Sequence, residues 1–126
     1  MNIPESVNLH QRSRQLELRY ADNNSYRLTC ELLRVYSPSA EVRGHGEGQE
    51  VLQTGKKNVA ISSVKTVGNY ALQLVFDDGH DTGLYSWDYL YDLCLNQQRY
   101  WDAYLEKLHA AGASRDPDLQ VVRIDL

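Results

Sequence analysis

Short apolar runs that alternate with polar residues, separated by turn-forming residues, constrain this sequence most strongly. Residues 16–20 and 26–30 place Leu, Tyr or Cys at every second position, with charged or hydroxyl residues between them. Residues 22–25, Asp-Asn-Asn-Ser, are typical of a turn. The alternation predicts two paired antiparallel strands with one buried face and one face in water.

The same kind of pattern returns from residue 59. Residues 59–67 and 70–76 are rich in Val, Ile and Leu, and the Gly68-Asn69 pair between them favours a tight hairpin turn. Residues 77–83 supply a second turn, which leads to a short strand at residues 84–85. The middle of the chain is therefore predicted to form an antiparallel β-meander.

A helical pattern follows the meander. Ser86 is a suitable N-cap, and Asp88 places a negative charge in the first turn, where it favours the helix dipole. The residues that recur at three- and four-residue steps are Leu90, Leu93, Cys94, Gln97, Trp101, Tyr104, Leu105 and Leu108. Gly112 provides a stop, and residues 96–98 offer a point where the helix can divide. We therefore predict an α+β fold in which a C-terminal α-helix packs on an antiparallel β-meander sheet.

A chain of 126 residues is predicted to form one domain around a single core. The strand and helix patterns lie within residues 14–112, which we take as the domain. Residues 1–13 are polar and aperiodic and are predicted to be a loose lead-in. Residues 113–126 are predicted to be a tail, or an edge strand. Residues 31–36 fit either a helical turn or a short strand, because so short a run does not define its own period.

The charge balance and the cysteines narrow the class of protein. Thirteen Lys and Arg against 17 Asp and Glu give a net charge of −4, which argues against a dedicated nucleic-acid or anionic-membrane binder. Cys30 and Cys94 lie far apart and outside any Cys-x-x-Cys spacing, so no disulfide framework or zinc finger is encoded. The N-terminal residues lack the pattern of a signal peptide. We expect a soluble, cytoplasmic protein.

Residues 37–57 contain four glycines and a proline among charged residues, which predicts a long surface loop. Two clusters in it, residues 44–48 and 55–57, have the glycines and lysines of a phosphate-binding loop. Their spacing is not that of a P-loop, and they open no helical pattern. The sequence therefore favours a solvated loop.

Residues 77–81, Asp-Asp-Gly-His-Asp, combine three carboxylates and an imidazole. So many ionisable side chains in five residues could bind a cation. They could also support general acid–base chemistry, as in a small hydrolytic or transfer enzyme that uses Asp78 and His80. Asp-Gly is also ordinary hairpin-turn chemistry, and one turn supplies too few ligands for a metal. No nucleophile motif of the Gly-x-Ser-x-Gly type is present. We therefore favour the structural interpretation and predict that the chain is not an enzyme.

Three separated motifs resemble those of one known family. They are Leu33-Arg34 with residues 37–45, then residues 67–72, then residues 76–87 with the Asp-Gly-His turn. In this order they resemble the gamma-butyrobetaine hydroxylase-like N-terminal domain, a domain of unknown function, in its short stand-alone bacterial type. The resemblance covers residues 14–108 and implies the fold of that domain.

In the hydroxylase, this domain holds zinc through a Cys-x-Cys-x-x-Cys cluster and the histidine of the Asp-Gly-His turn. The resemblance places the cysteine positions on Ser37, Ser39 and Val42, and only His80 keeps a ligand type. A structural zinc ion takes four cysteine or histidine ligands, which two serine hydroxyls and a valine cannot replace. The resemblance therefore implies the fold without the family's zinc ligands.

Two further implications concern function. The catalytic jelly roll of the hydroxylase, with its iron and 2-oxoglutarate ligands, has no room in this chain, so hydroxylase activity is not implied. Related domains occur on P-loop ATPases of iron-sulphur cluster assembly, which by analogy points to an accessory role in metal or cofactor metabolism. A rearranged zinc or iron site built from His80, His45 and Cys30 is one alternative. Otherwise no cofactor is expected.

We therefore predict a non-catalytic accessory or interaction module that binds a protein partner or itself, and neither nucleic acid nor membrane. A metal-binding accessory protein is the alternative. The contact surface is predicted on residues 34–45 and on the turn around His80. The residues predicted to take part in the interaction are Arg34, Ser37, Ser39, Arg43, His45, Asp78, His80 and Trp87.

Overall fold

A three-stranded antiparallel sheet opens the fold. The computed structural model describes residues 2–119, and its first sheet has the strand order β1 (Ser6–His10), β2 (Gln15–Arg19) and β3 (Ser25–Thr29). Along β2 the alternation predicted from the sequence holds, because Leu16 and Leu18 are fully buried and the residues between them are not. The predicted hairpin at residues 16–30 is thus confirmed as β2 and β3.

Two short helices connect this sheet to the rest of the chain. Helix α1 spans Cys30–Val35, and helix α2 spans Ala40–Arg43. The side chain of Thr29 accepts a hydrogen bond from the backbone amide of Leu32 at 3.0 Å, which caps α1. Residues 31–36, which the sequence left open between helix and strand, are therefore helical through residue 35.

A second antiparallel sheet is formed by β4 (Ile61–Val67), β5 (Ala71–Phe76) and β6 (Leu84–Ser86), in that order. The predicted turn at Gly68-Asn69 joins β4 to β5, and Gly68 has the positive φ that such a turn requires. The predicted meander is confirmed. Within residues 2–119, the six strands divide between two sheets rather than continuing in one.

Helices α3 (Trp87–Leu95) and α4 (Gln97–Ala111) complete the fold. Ser86 caps α3 by accepting a hydrogen bond from the amide of Tyr89, and Gly112 ends α4 in the left-handed conformation. The helix breaks at Asn96, within the segment where the sequence predicted a possible division. The α+β class with C-terminal helices packed on antiparallel strands is confirmed.

One hydrophobic core joins the two sheets and the helices. Leu16 and Leu28 of the first sheet, Leu74 and Phe76 of the second, and Leu90 of α3 belong to one cluster of buried residues. A smaller cluster of Val35, Tyr104 and Leu108 packs α1 against α4. Because both sheets share this core, the loops between them are held at fixed positions.

The prediction of a loose lead-in at residues 1–13 is wrong for residues 6–10, which form β1. Val7 pairs with Leu18 and Leu9 pairs with Leu16, so both side chains pack at the edge of the core. The alternation of Val7, Asn8 and Leu9 was too short to stand out from the sequence. Pairing with β2 supplies the hydrogen bonds that such a strand lacks alone.

The glycine-rich segment between α2 and β4 is anchored at several points. The amide of Val51 donates to the carbonyl of Val42 at 2.8 Å, and the hydroxyl of Tyr104 donates to the carbonyl of Gln53 at 2.7 Å. These contacts tie the loop to α2 and to α4. After Gly112 the structure describes a short 3-10 turn at Pro117–Leu119, and the edge strand predicted further on lies outside the described residues.

Within residues 2–119, none of the helices is both long enough and apolar enough to cross a membrane.

Candidate functional site

The imidazole of His80 lies at the centre of a buried polar cluster. Its Nε2 atom is 2.7 Å from the hydroxyl of Ser37 and 3.4 Å from that of Ser39, and its Nδ1 atom is 3.2 Å from a carboxylate oxygen of Glu41. A carboxylate only accepts hydrogen bonds, so in the neutral ring Nδ1 carries the proton and Nε2 accepts from a serine. The cluster thus fixes both ends of the ring.

Local structure explains how these groups meet. Ser37 and Ser39 lie in the turn between α1 and α2, and the amide of Ser39 donates to the hydroxyl of Ser37 at 3.3 Å. Glu41 lies in the first turn of α2, and His80 lies in the turn between β5 and β6. The amide of Phe76 donates to the carbonyl of His80 at 2.9 Å, which closes that turn. Two connecting segments therefore form the site.

Asp78 forms the second half of the cluster. Its carboxylate accepts hydrogen bonds from Arg34 Nε at 2.8 Å, from Lys56 Nζ at 2.6 Å and from the amide of His80 at 3.1 Å. Burial by itself raises the pKa of Asp78, but the hydrogen bonds from Lys56, the His80 amide and Arg34 outweigh it and lower the pKa to about 2. Asp78 is therefore an anion that holds two cations together.

The pKa of His80 is shifted in the direction that keeps the ring neutral. Burial lowers it, and the nearby positive charge of Arg34 lowers it further. The carboxylates of Glu41 and Asp78 oppose the shift without cancelling it. His80 therefore acts in this cluster as a neutral hydrogen-bonding group.

We expect the free energy of unfolding to fall as the pH is lowered below the ordinary histidine pKa. The unfolded chain, with a histidine pKa near 6.5, takes up a proton before the folded chain does, so acid favours the unfolded state. The contribution of neutral His80 is full above pH 6.5 and is lost as the pH falls toward the lowered folded value. Urea unfolding between about pH 7.5 and pH 5 measures this loss.

The variant His80→Gln provides the control, because its carboxamide is uncharged over this range. Its stability should depend less steeply on pH than that of the unmodified protein. An equal slope in both proteins would show that other groups cause the acid sensitivity. Asp78 affects the free energy of unfolding in a separate pH range, because its stabilising contribution is lost only as the pH falls below its unfolded pKa of 3.8.

Ser37, His80 and Glu41 have the order of a nucleophile, a base and an orienting carboxylate. The side chain of Ser37, however, is fully buried, with 0% exposure. A β-carbon added at Gly83 would come closer than 3.0 Å to the Ser37 hydroxyl, so this side of the hydroxyl is already filled by the chain. The Ser37 hydroxyl is therefore packed against the chain and has no surface exposed to solvent in this conformation.

The predicted contact residues divide into buried and exposed groups. Arg43 and His45 are exposed, and the guanidinium of Arg43 lies 4.8 Å from the centre of the Tyr89 ring. Asp78 is at the surface, although its carboxylate is held by Arg34 and Lys56. The other predicted members are buried, so little of their side-chain surface is exposed. These are Arg34, Ser37, Ser39, His80 and Trp87.

Trp87 illustrates why a buried member has a structural role. Its indole Nε1 donates to the carbonyl of Asn69 at 2.8 Å, and its ring packs in the main core. It therefore joins the start of α3 to the turn between β4 and β5. This is a packing position, with the polar tip satisfied inside the domain.

The structure does not bring the alternative metal ligands together. Cys30 is buried in the main core, where burial raises the pKa of its thiol, whereas His45 is exposed on the turn after α2. Over residues 2–119, no group of three or more His, Cys, Asp or Glu side chains is placed to hold a metal ion. The prediction of a rearranged site of Cys30, His45 and His80 is therefore not supported by their positions.

The zinc of the resembled family does not fit this cluster either. The Nε2 atom of His80 already accepts a hydrogen bond from a serine hydroxyl, with Ser37 at 2.7 Å and Ser39 at 3.4 Å, and Val42 offers no donor atom. Neutral hydroxyls are poor zinc ligands compared with thiolates. Hydrogen bonds occupy the place where the resemblance puts a metal.

Three residues of the cluster could not be recognised from the sequence. Glu41 and Gly83 lie within the family motifs, and Lys56 lies in the cluster at residues 55–57, but no pattern indicated which residues they contact. The structure shows that Gly83 makes room for Ser37. Their partners are far away in the chain, so no local pattern marks them.

Fold and site together make this chain a small α+β domain organised around a buried serine–histidine centre between two connecting turns. The chain belongs to the gamma-butyrobetaine hydroxylase-like, N-terminal family, whose model matches residues 7–91. This confirms the resemblance seen in the sequence motifs. The match begins inside β1, in agreement with the ordered strand found there.

Solved structures share both the fold and much of the sequence. Two NMR solution structures are 53% and 54% identical to this chain, with TM-scores of 0.83 and 0.79. The first match covers 100% of this chain and 99% of the solved chain, and the second covers 99% of this chain and 95% of the solved chain. A crystal structure of a protein with unknown function of the DUF971 family, from Acidithiobacillus ferrooxidans, is 40% identical. It covers 71% of this chain and 90% of its own, with a TM-score of 0.60. No curated protein matches.

Proposed function

We propose that the chain is a non-catalytic accessory module that binds a protein partner, or a second copy of itself, through one surface. This α2 surface consists of the exposed side chains of Glu41, Arg43 and His45, beside the turn at residues 77–83. The observation that carries the proposal is the position of Glu41, whose side chain is 65% exposed and yet contacts buried His80. The buried cluster thus holds an exposed surface in one conformation.

The side chain of Arg43 supports this assignment. Its guanidinium lies over the Tyr89 ring, which limits its rotamers, and the side chain remains exposed to a partner. A side chain that is already ordered loses less conformational entropy on binding. Arginine and tyrosine are also enriched among residues that dominate protein interfaces. Arg43 is therefore the residue on which we expect binding to depend most.

A cavity beside Arg43 offers room for an anchoring side chain. It has a volume of about 190 Å³, and it is lined by three tyrosines and two valines together with Ser37, Arg43 and Glu50. Tyr36 and Tyr100 meet edge to face at 4.8 Å in its wall, and Glu50 lies at its rim. Interfaces commonly bury one side chain in such an aromatic pocket. We expect the partner to insert a side chain here.

The remaining properties agree with a cytoplasmic interaction module. Both cysteines are free and buried, as expected for a protein kept in a reducing compartment. The net charge of −4 favours a protein partner over nucleic acid or an anionic membrane. Ser37, which has the position of a nucleophile, has no solvent-exposed surface. These features support binding rather than catalysis.

The expected result is that Arg43→Glu loses the partner that the unmodified protein retains. Affinity capture from the native lysate, quantified by mass spectrometry, should show at least a roughly tenfold loss of the specific partner. Arg12→Glu makes the same change of charge at an exposed residue of the β1–β2 turn, and it should leave capture unchanged. Sedimentation of the purified protein distinguishes a second copy from a different partner. Equal capture by both variants would contradict the proposal.

A further inference from the structure

A second charged cluster joins α1 to the segment that follows α4, and it shares no residue with the α2 surface. Glu31, in the first turn of α1, is only 6% exposed. Its carboxylate accepts two parallel hydrogen bonds from Arg115, from Nε at 2.8 Å and from Nη2 at 2.7 Å. A fork of this kind matches the planar geometry of a guanidinium and not that of an ammonium group.

The guanidinium of Arg115 also has an aromatic neighbour. It lies 4.8 Å from the ring centre of Trp101, which places it over the indole face. A buried carboxylate and an aromatic face therefore hold the same cation from two directions. This is the arrangement by which proteins recognise arginine side chains.

Arg115 reaches this place from the segment that follows α4. Two backbone hydrogen bonds hold that segment, from Gly55 N to the carbonyl of Ser114 at 2.9 Å and from Lys57 N to that of Arg115 at 3.0 Å. The ion pair of Arg115 with Glu31 adds a side-chain anchor to these backbone bonds.

Room remains beside the bound guanidinium. A cavity of about 230 Å³ is bounded by Glu31, Trp101 and Arg115, and its remaining walls are largely polar. The other lining residues are Thr29, Leu32, Gln97 and Gln98. The carboxamides and the hydroxyl can hydrogen-bond to a larger ligand than the one present. The pocket is therefore more spacious than Arg115 alone requires.

We propose that Glu31 and Trp101 form a guanidinium-binding pocket that Arg115 occupies in cis, and that an arginine side chain of a partner can take its place. In this arrangement Arg115 is an intramolecular competitor, and partner binding displaces the segment that carries it. The pocket accepts arginine and rejects lysine, because only the guanidinium satisfies both carboxylate oxygens and stacks on the indole. This site does not depend on the α2 surface.

The test removes the internal ligand and supplies a small one. Arg115→Ala, labelled with ¹⁵N, is titrated with ethylguanidinium at millimolar concentrations. We expect a saturable shift of the Trp101 indole N–H signal in the variant, and a much smaller one in the unmodified protein, where Arg115 fills the site. Trp87, the second of the two tryptophans, is the internal control because its indole N–H is bonded to Asn69.

Two further measurements test the specificity. Ethylammonium at the same concentrations should leave the Trp101 signal unmoved. Adding Glu31→Gln to Arg115→Ala should weaken ethylguanidinium binding about tenfold or more, because the charged acceptor is lost. Equal shifts with both cations, or equal affinity with and without Glu31, would overturn the proposal.

Two further measurements apply if Arg115→Ala does not fold. If Arg115→Ala unfolds, ethylguanidinium should restore its folded spectrum, since a ligand of the folded state stabilises it. Arg115→Lys keeps the positive charge and most of the side chain, so it is measured in parallel. In that variant ethylguanidinium should displace the lysine and move the Trp101 signal. Failure of both the rescue and the displacement would overturn the proposal.

Discussion

Asp78→Ala is expected to lower the free energy of unfolding by about 2–3 kcal/mol, because buried Arg34 loses a charged hydrogen-bond partner while Asp78 itself is partly exposed. The substitution leaves Arg34 without the acceptor of its Nε proton, while its Nη1 atom is already buried without a hydrogen-bond partner in the described structure. It also removes the acceptor of the His80 amide. Urea unfolding at neutral pH measures the loss.

A double-mutant cycle separates the unpaired charge from other effects of this change. Arg34→Leu combined with Asp78→Ala should be more stable than Asp78→Ala alone, because no buried guanidinium then lacks a partner. Lys56→Ala is the matched control: it removes the other cation on Asp78 and leaves the Arg34 pair intact. A loss after Lys56→Ala as large as that after Asp78→Ala would contradict the assignment of the loss to Arg34.

Gly83→Ala is expected to destabilise the protein by about 2–3 kcal/mol, in the upper range for an added methyl group in a filled interior. The new β-carbon would lie closer than 3.0 Å to the Ser37 hydroxyl and 3.1 Å from Pro38 Cδ. To make room, Ser37 must move away from His80 and weaken their 2.7 Å hydrogen bond. Urea unfolding gives the loss, and the ring signals of His80 report the change in its surroundings.

Gly46→Ala provides the matched control on the same side of the fold. Its added β-carbon meets nothing within 4 Å and its φ is not in the left-handed region, so stability should stay the same or rise slightly. Ser37→Ala in the Gly83→Ala background removes the hydroxyl that clashes, and it should recover part of the loss. If Gly83→Ala is as stable as the unmodified protein, Ser37 is not held as tightly as the structure indicates.

Much of the fold could be predicted because its signals are local. The cap at Ser86, the stop at Gly112 and the turn at Gly68 each depend on residues within one turn of the chain. The alternation at Leu16 and Leu18 likewise needs only the period of a strand. The strand at residues 6–10 was missed because its evidence is its pairing with β2.

The candidate site was predicted in its residues but not in its architecture. Family motifs drew attention to Ser37, Ser39 and His80, and the structure joins all three by short contacts. It also turned the predicted contact residues inward, because the hydrogen bonds they make need a site removed from water. Of the predicted contact residues, Arg43, His45 and Asp78 remain at the surface.

By itself, the sequence determined the α+β class, the order of most strands and helices, and the family. Only the tertiary structure decided which polar residues meet: Ser37 and His80 are 43 positions apart, Arg34 and Asp78 are 44, and Glu31 and Arg115 are 84. Caps, turns and alternation act between near neighbours, so they are written locally in the chain. A buried ion pair forms only when two distant segments are brought together and desolvated by a core that both help to build.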